Sequence, residues 1–197
     1  ISTVDLLNKE KSTLIELDNI LNDLNLISDY NFIIASVVPE ACNHLNHILK
    51  EINISANILS STDKVLGMKI DIDKPSELGT DRIVNAIAAV DEYKAPLVVI
   101  DFGTATTFDI IDSDRTYKGG LICPGIKLSI KSLNSDTAQL PLVDLKRTST
   151  VIGRDTKSAI ESGIYWGYVS LVEGLIEKIQ NEMGLEGRRY RWSFTYL

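Results

Sequence analysis

The stretch richest in reactive groups is Gly79-Thr80-Asp81-Arg82, which lies in a break just before an apolar-periodic run. A carboxylate there can take a proton or a hydrogen bond from a substrate hydroxyl, and the adjacent guanidinium can fork an anion. The bland counterpart is an acidic residue that complements the positive end of a helix. A second set is Asp101-Phe102-Gly103-Thr104-Ala105-Thr106-Thr107. It can hold a cation on Asp101 and phosphate oxygens on backbone N–H groups and threonine hydroxyls. Its bland counterpart is a strand ending in an Asp-x-Gly turn followed by β-favouring threonines. Gly119-Gly120-Leu121-Ile122-Cys123-Pro124-Gly125 either lets backbone approach a ligand or only bends a sheet edge. Ile152-Gly153-Arg154-Asp155-Thr156 precedes a long helical run, where Asp155 or Thr156 can cap the helix and its N-terminus can bind a carboxylate.

Other patterns carry less. His44 and His47 stand three apart without a Cys or a second pair nearby, and read as a solvated helix face. Neither G-x-x-x-x-G-K-[ST] nor G-x-G-x-x-G occurs. The two cysteines, Cys42 and Cys123, cannot build a disulfide framework or a four-Cys zinc site, a pattern that fits a reducing cytoplasm. With 20 basic and 27 acidic residues the net charge is −7, which disfavours broad binding to nucleic acid or an anionic membrane. No run of about eighteen apolar residues implies a membrane span.

The elements that must position these groups follow from periodicity. Apolar residues at threes and fours predict helices over 4–26, 40–51, 81–93, 126–136 and 157–183. Short β-rich runs fall at Asn31–Val38, Asn57–Ser60 and Val65–Ile72. Leu97-Val98-Val99-Ile100 is continuously apolar, as a strand buried on both faces would be. Thr106–Asp112 and Thr116–Ile122 flank a Ser113-Asp114-Arg115 turn and read as a hairpin. Alternating strands and helices make the class α/β, with a boundary between two halves near Tyr93–Pro96. Gly163 and Gly167 on the last helix, beside Tyr165, Trp166 and Tyr168, predict close approach to another element or to a partner subunit.

In this order the motifs resemble the type III pantothenate kinases, the family that includes the Bvg accessory factor homologues. The matching strings are Ile33–Pro39, Pro75–Ala86, Asp101–Asp109, Gly119–Gly125, Thr137–Leu145 and Val151–Leu175. The resemblance implies an actin-like ATPase fold of two related halves, as in acetate and sugar kinases, divided here into 1–94 and 95–197. It implies ATP-dependent phosphorylation of pantothenate to 4'-phosphopantothenate, the first step towards coenzyme A, in a cytoplasmic homodimer. It implies that Asp81 is the general base and that Gly79, Thr80, Arg82 and Thr156 line the pantothenate site. Ile72 stands where an aromatic residue often contacts substrate. Thr104 would contact ATP, and Asp101 would bind a monovalent cation, K+ or NH4+, alongside Mg2+.

Two departures accompany the resemblance. An N-terminal Asp-x-Gly-Asn-Thr phosphate loop has no counterpart, and after about residue 184 the chain runs Glu186 to Leu197 where a strand and a Gly-Gly turn are expected. The chain is therefore expected to be incomplete at both nucleotide-side ends, binding pantothenate with little turnover. A non-catalytic regulatory or binding homologue, an inactive fragment and another small-molecule kinase of the superfamily remain the alternatives.

Overall fold

The computed structural model describes residues 32–35, 39–51, 54–60, 67–135 and 140–185. The helix expected over 4–26 and the altered segment after Glu186 lie outside the described residues. The chain divides into two compact units, Ile1–Val99 with Asp109–Gly119, and Ile100–Phe108 with Gly120–Leu197. Each is described by itself.

In the first unit, β1 (Phe32–Ile34) and β2 (Ala56–Ile58) pair in parallel, and α1 (Pro39–Glu51) connects them. A parallel pair needs such a crossover. Ile34, Cys42 and Leu49 are buried between helix and strands. Among the described residues β3 is Lys69–Ile70, shorter than the expected run, and it pairs in parallel with Thr116–Tyr117. A 3-10 turn, Pro75–Glu77, leads into α2 (Thr80–Glu92). Gly79 is its extended N-cap. Ile83, Ala86, Ile87 and Val90 follow the helical period, and they pack with Leu78, Ile111 and Tyr117 in one apolar cluster.

Three strands follow: β4 (Leu97–Phe102), β5 (Ala105–Ile111) and β6 (Thr116–Pro124). The sheet order is β3-β6-β5-β4. These strands change unit along their length. Phe108, Asp109, Ile110 and Ile111 are all buried, so β5 is covered on both faces there. The β5–β6 turn is closed by Asp112, whose Oδ1 accepts the N–H groups of Asp114 and Thr116, each at 2.9 Å. Arg115 takes the left-handed conformation in that turn, with φ of 63°.

The second unit holds α3 (Ile126–Ser135) and α4 (Thr156–Glu182). Ile130, Val143 and Ile164 form its buried cluster. Tyr168 ties α4 to the end of β6, donating to the Pro124 carbonyl at 2.7 Å, with its hydroxyl 2.7 Å from Ser129 Oγ. The residues 141–150 before α4 are largely exposed, but Lys146 Nζ lies 3.0 Å from the buried Glu161 carboxylate. The architecture is mixed α/β, a sheet with flanking helices.

Candidate active site

Gly79, Thr80, Asp81 and Arg82 form the N-terminal turn of α2 in the first unit. Thr80 is buried, whereas Asp81 is exposed. Asp81 Oδ1 accepts the N–H of Arg82 at 2.8 Å. That bond satisfies one of the donors a helix start leaves without an intrahelical acceptor. It engages one carboxylate oxygen and leaves Oδ2 outside the bond. The helix-complementing reading of Asp81 is thus realised, and it leaves room for a second role.

Arg82 directs its guanidinium to Asp109 on β5. Nε donates to Asp109 Oδ1 at 2.8 Å. Nη2 lies 2.7 Å from the same oxygen but makes no directional hydrogen bond, so Nε carries the bond and Nη2 only the charge contact. Tyr117 on β6 donates its hydroxyl to that oxygen too, at 2.6 Å. Asp109 and Tyr117 are wholly buried. A carboxylate without partners at that depth would be strongly unfavourable. Burial first, then the bond to Asp109 and its charge, push the Tyr117 hydroxyl far above a phenol's ordinary value. The charge of Asp81 reaches Tyr117 as well and acts in the same direction. Tyr117 therefore stays a neutral donor at any working pH.

Sequence reading missed Asp109 and Tyr117. The available signal was a lone acid within Phe108-Asp109-Ile110-Ile111, since a charge in a buried apolar run needs a partner. Ile72 belongs to the same unit. It is half-buried against the α2 cluster, and a Cβ on Gly119 would sit 3.6 Å from its Cγ2. Gly119 itself has φ of 111°, which glycine adopts without strain.

Asp101, Thr104 and Thr156 belong to the second unit. Asp101 is the fifth residue of β4 and is exposed, as is Thr104 in the following turn. Gly103 N–H is donated to the Ala105 carbonyl at 2.9 Å, and Gly125 N–H to the Thr104 carbonyl at 3.0 Å. Both N–H groups are thus engaged by backbone carbonyls and not open to a phosphate. A Cβ on Gly125 would lie 2.3 Å from the Thr104 carbonyl oxygen, so the glycine-rich stretch serves close backbone packing at that point. Thr156 opens α4 and is exposed. Asp155, not Thr156, is the cap. Its side chain accepts from Ser158 N at 2.9 Å, and the Ser158 hydroxyl takes the Asp155 N–H at 3.1 Å. The Ser158 hydroxyl, donating to Asp155 Oδ2 at 2.6 Å, and then the Ser158 N–H hold the Asp155 carboxyl below its ordinary value.

Among the described residues no group of three or more His, Cys, Asp or Glu side chains can hold a metal ion. Hard cations that keep most of their waters, or lean on substrate phosphates, need only one or two carboxylate ligands. The exposed Asp101 carboxylate fits that requirement. Gly163 and Gly167 are exposed on α4, and a Cβ on either would meet nothing within 4 Å. No close approach by the described residues of this chain explains them. Both cysteines are free. No described helix is long and apolar enough to cross a membrane.

The family model described as type III pantothenate kinase matches residues 2–178, and the chain belongs to that family. Its mixed α/β architecture fits the actin-like ATPase superfamily of that family. A type III pantothenate kinase of Paramagnetospirillum magneticum is 47% identical over 165 residues, covering 83% of this chain and 64% of that protein. One from Sulfurihydrogenibium sp. is 44% identical over 162 residues, covering 82% and 63%. A crystal structure of a Baf family protein from Campylobacter jejuni superposes with a TM-score of 0.45 at 22% identity, covering 80% of this chain and 68% of that one. The chain thus spans less than two thirds of the length of the two kinases.

Proposed function

We propose that the protein phosphorylates pantothenate at the expense of ATP, giving 4'-phosphopantothenate, the first step of coenzyme A biosynthesis. The observation that carries this reading is the α2 start inside the matched family region. There an exposed carboxylate, Asp81, precedes an arginine whose guanidinium is paired with a buried acid.

In this reading Asp81 accepts the proton of the pantothenate hydroxyl. The hydroxyl oxygen attacks the γ-phosphorus of ATP in line, the bond to the β–γ bridging oxygen breaks, and ADP leaves. Gly79, Thr80, Arg82, Ile72 and Thr156 are the residues assigned to the acceptor. Thr104 contacts the nucleotide. When bound, Mg2+ and a monovalent cation (K+ or NH4+) offset charge on the phosphates, with Asp101 supplying the carboxylate ligand. The two halves of the fold divide at about residues 94 and 95, and the open Gly163/Gly167 face of α4 supports a homodimer. The protein works in the cytoplasm, without nucleic acid or membrane.

The test is pantothenate-dependent release of ADP from ATP·Mg2+, with the product identified by mass. Formation of phosphopantothenate supports the reading. Pantothenate binding without product favours a binding homologue, and neither binding nor product overturns the assignment of substrate.

A further inference from the structure

Arg82 is the one cation of the α2 start, yet its orientation is decided outside that start. Its neighbours on the helix do not hold it. Nε donates to one oxygen of Asp109, on a strand reached 27 residues later, and Nη2 lies in charge contact with that same oxygen. A guanidinium is planar, so the Nε bond together with the Nη2 charge contact restricts the plane and the direction of Nη1. The carboxylate that does the fixing is itself held, because the Tyr117 hydroxyl donates to the same oxygen at 2.6 Å. Both anchors are wholly buried, and Tyr117 packs in the cluster with Leu78, Ile83, Ala86 and Ile111. The anchor thus moves only with the core.

We propose that Asp109 and Tyr117 are positioning residues that set the orientation of Arg82 and through it the affinity of the α2 start for pantothenate. This rests on the substrate reading above. Neither residue touches substrate. Asp109 neutralises the guanidinium that it aims, so Arg82 acts as a directed donor more than as a loose positive charge. Tyr117 holds the carboxylate plane. Losing its hydroxyl leaves the Arg82–Asp109 pair intact and orphans no buried donor, so Tyr117→Phe separates aim from folding.

The experiment uses the full 197-residue chain with Tyr117→Phe and Asp109→Asn. Two readouts are taken on each: hydrogen exchange of the Arg82 Nε–H by 15N NMR, and calorimetric titration with pantothenate. For Tyr117→Phe the expected result is an unchanged far-UV spectrum, faster Nε–H exchange and a pantothenate Kd raised about 3- to 10-fold, the scale of one hydrogen bond. Asp109→Asn, if folded, should raise the Kd further. A folded Tyr117→Phe with wild-type Kd overturns the proposal, whatever its stability. If the wild-type chain binds no pantothenate, the substrate reading fails instead. Nε–H exchange then decides the positioning claim alone: unchanged exchange overturns it, and faster exchange upholds it.

Discussion

Arg82 Nε on α2 and Asp109 Oδ1 on β5 are 2.8 Å apart across 27 residues of sequence, and the acid is wholly buried. Removing one partner of such a pair strands the other. Asp109→Ala should therefore destabilise the fold by about 3–5 kcal/mol. Urea unfolding measures this. A loss under about 1 kcal/mol would mean that the pair is solvated in solution and holds nothing in place.

Asp81 lies on the exposed side of the same turn, so its loss should leave the fold intact and remove chemistry. Asp81→Asn keeps an oxygen to accept the Arg82 N–H but cannot take a proton. Turnover of pantothenate should fall by roughly 10² or more, the scale for a general base. The KM for pantothenate should change far less. Turnover near the wild-type rate would remove Asp81 from the base role.

The elements carrying these groups were legible because their signals are local. The 3.6 period from Ile83 to Val90 and the break at Gly79 give α2 and put Asp81 in its first turn. The Ser113-Asp114-Arg115 turn gives the β5–β6 hairpin, and Asp155 before an apolar-periodic run gives the start of α4. What was not legible depends on contacts between distant residues. Arg82 read as an anion-binding fork beside Asp81, and the sequence did not show that its Nε is held by Asp109, whose place opposite α2 exists only once β5 is in the sheet. β3 read as a strand from Val65 to Ile72, whereas Lys69–Ile70 alone pair within the described residues. Gly125 and Gly167 look alike in sequence and differ wholly in surroundings.

That last contrast is testable. A methyl on Gly125 would strike the Thr104 and Gly103 carbonyl oxygens at 2.3 and 2.4 Å, both backbone atoms. Gly125→Ala should cost about 1–3 kcal/mol, the usual range for overpacking. On α4, a methyl on Gly167 meets open space within the single chain, and Gly167→Ala should stabilise the isolated protomer by up to about 1 kcal/mol through helix propensity. Thermal unfolding of both variants checks the pair. If Gly167→Ala is instead destabilising and shifts sedimentation towards monomer, a second copy packs on that face.

Asp155 supplies a pH dependence. Its carboxyl is held below the ordinary 3.8 by the Ser158 hydroxyl and N–H. A depressed folded-state pKa gives stability that is present above the unfolded value and lost as pH falls through the folded one. Wild type should therefore exceed Asp155→Ala in stability above about pH 4. The gap should narrow as the pH drops below that. Denaturant midpoints across the acid range measure it. A gap independent of pH would show that the cap acts without its charge.

The central claim is that pantothenate is bound at the N-terminal turn of α2. Backbone amide shift mapping of the 15N-labelled chain during titration with pantothenate tests it most directly. The account predicts saturable shifts at Gly79, Thr80, Asp81 and Arg82, lost in Arg82→Ala while the remaining amides keep their positions. Saturable shifts elsewhere that leave those four amides unmoved, or no shift at millimolar pantothenate, would contradict it.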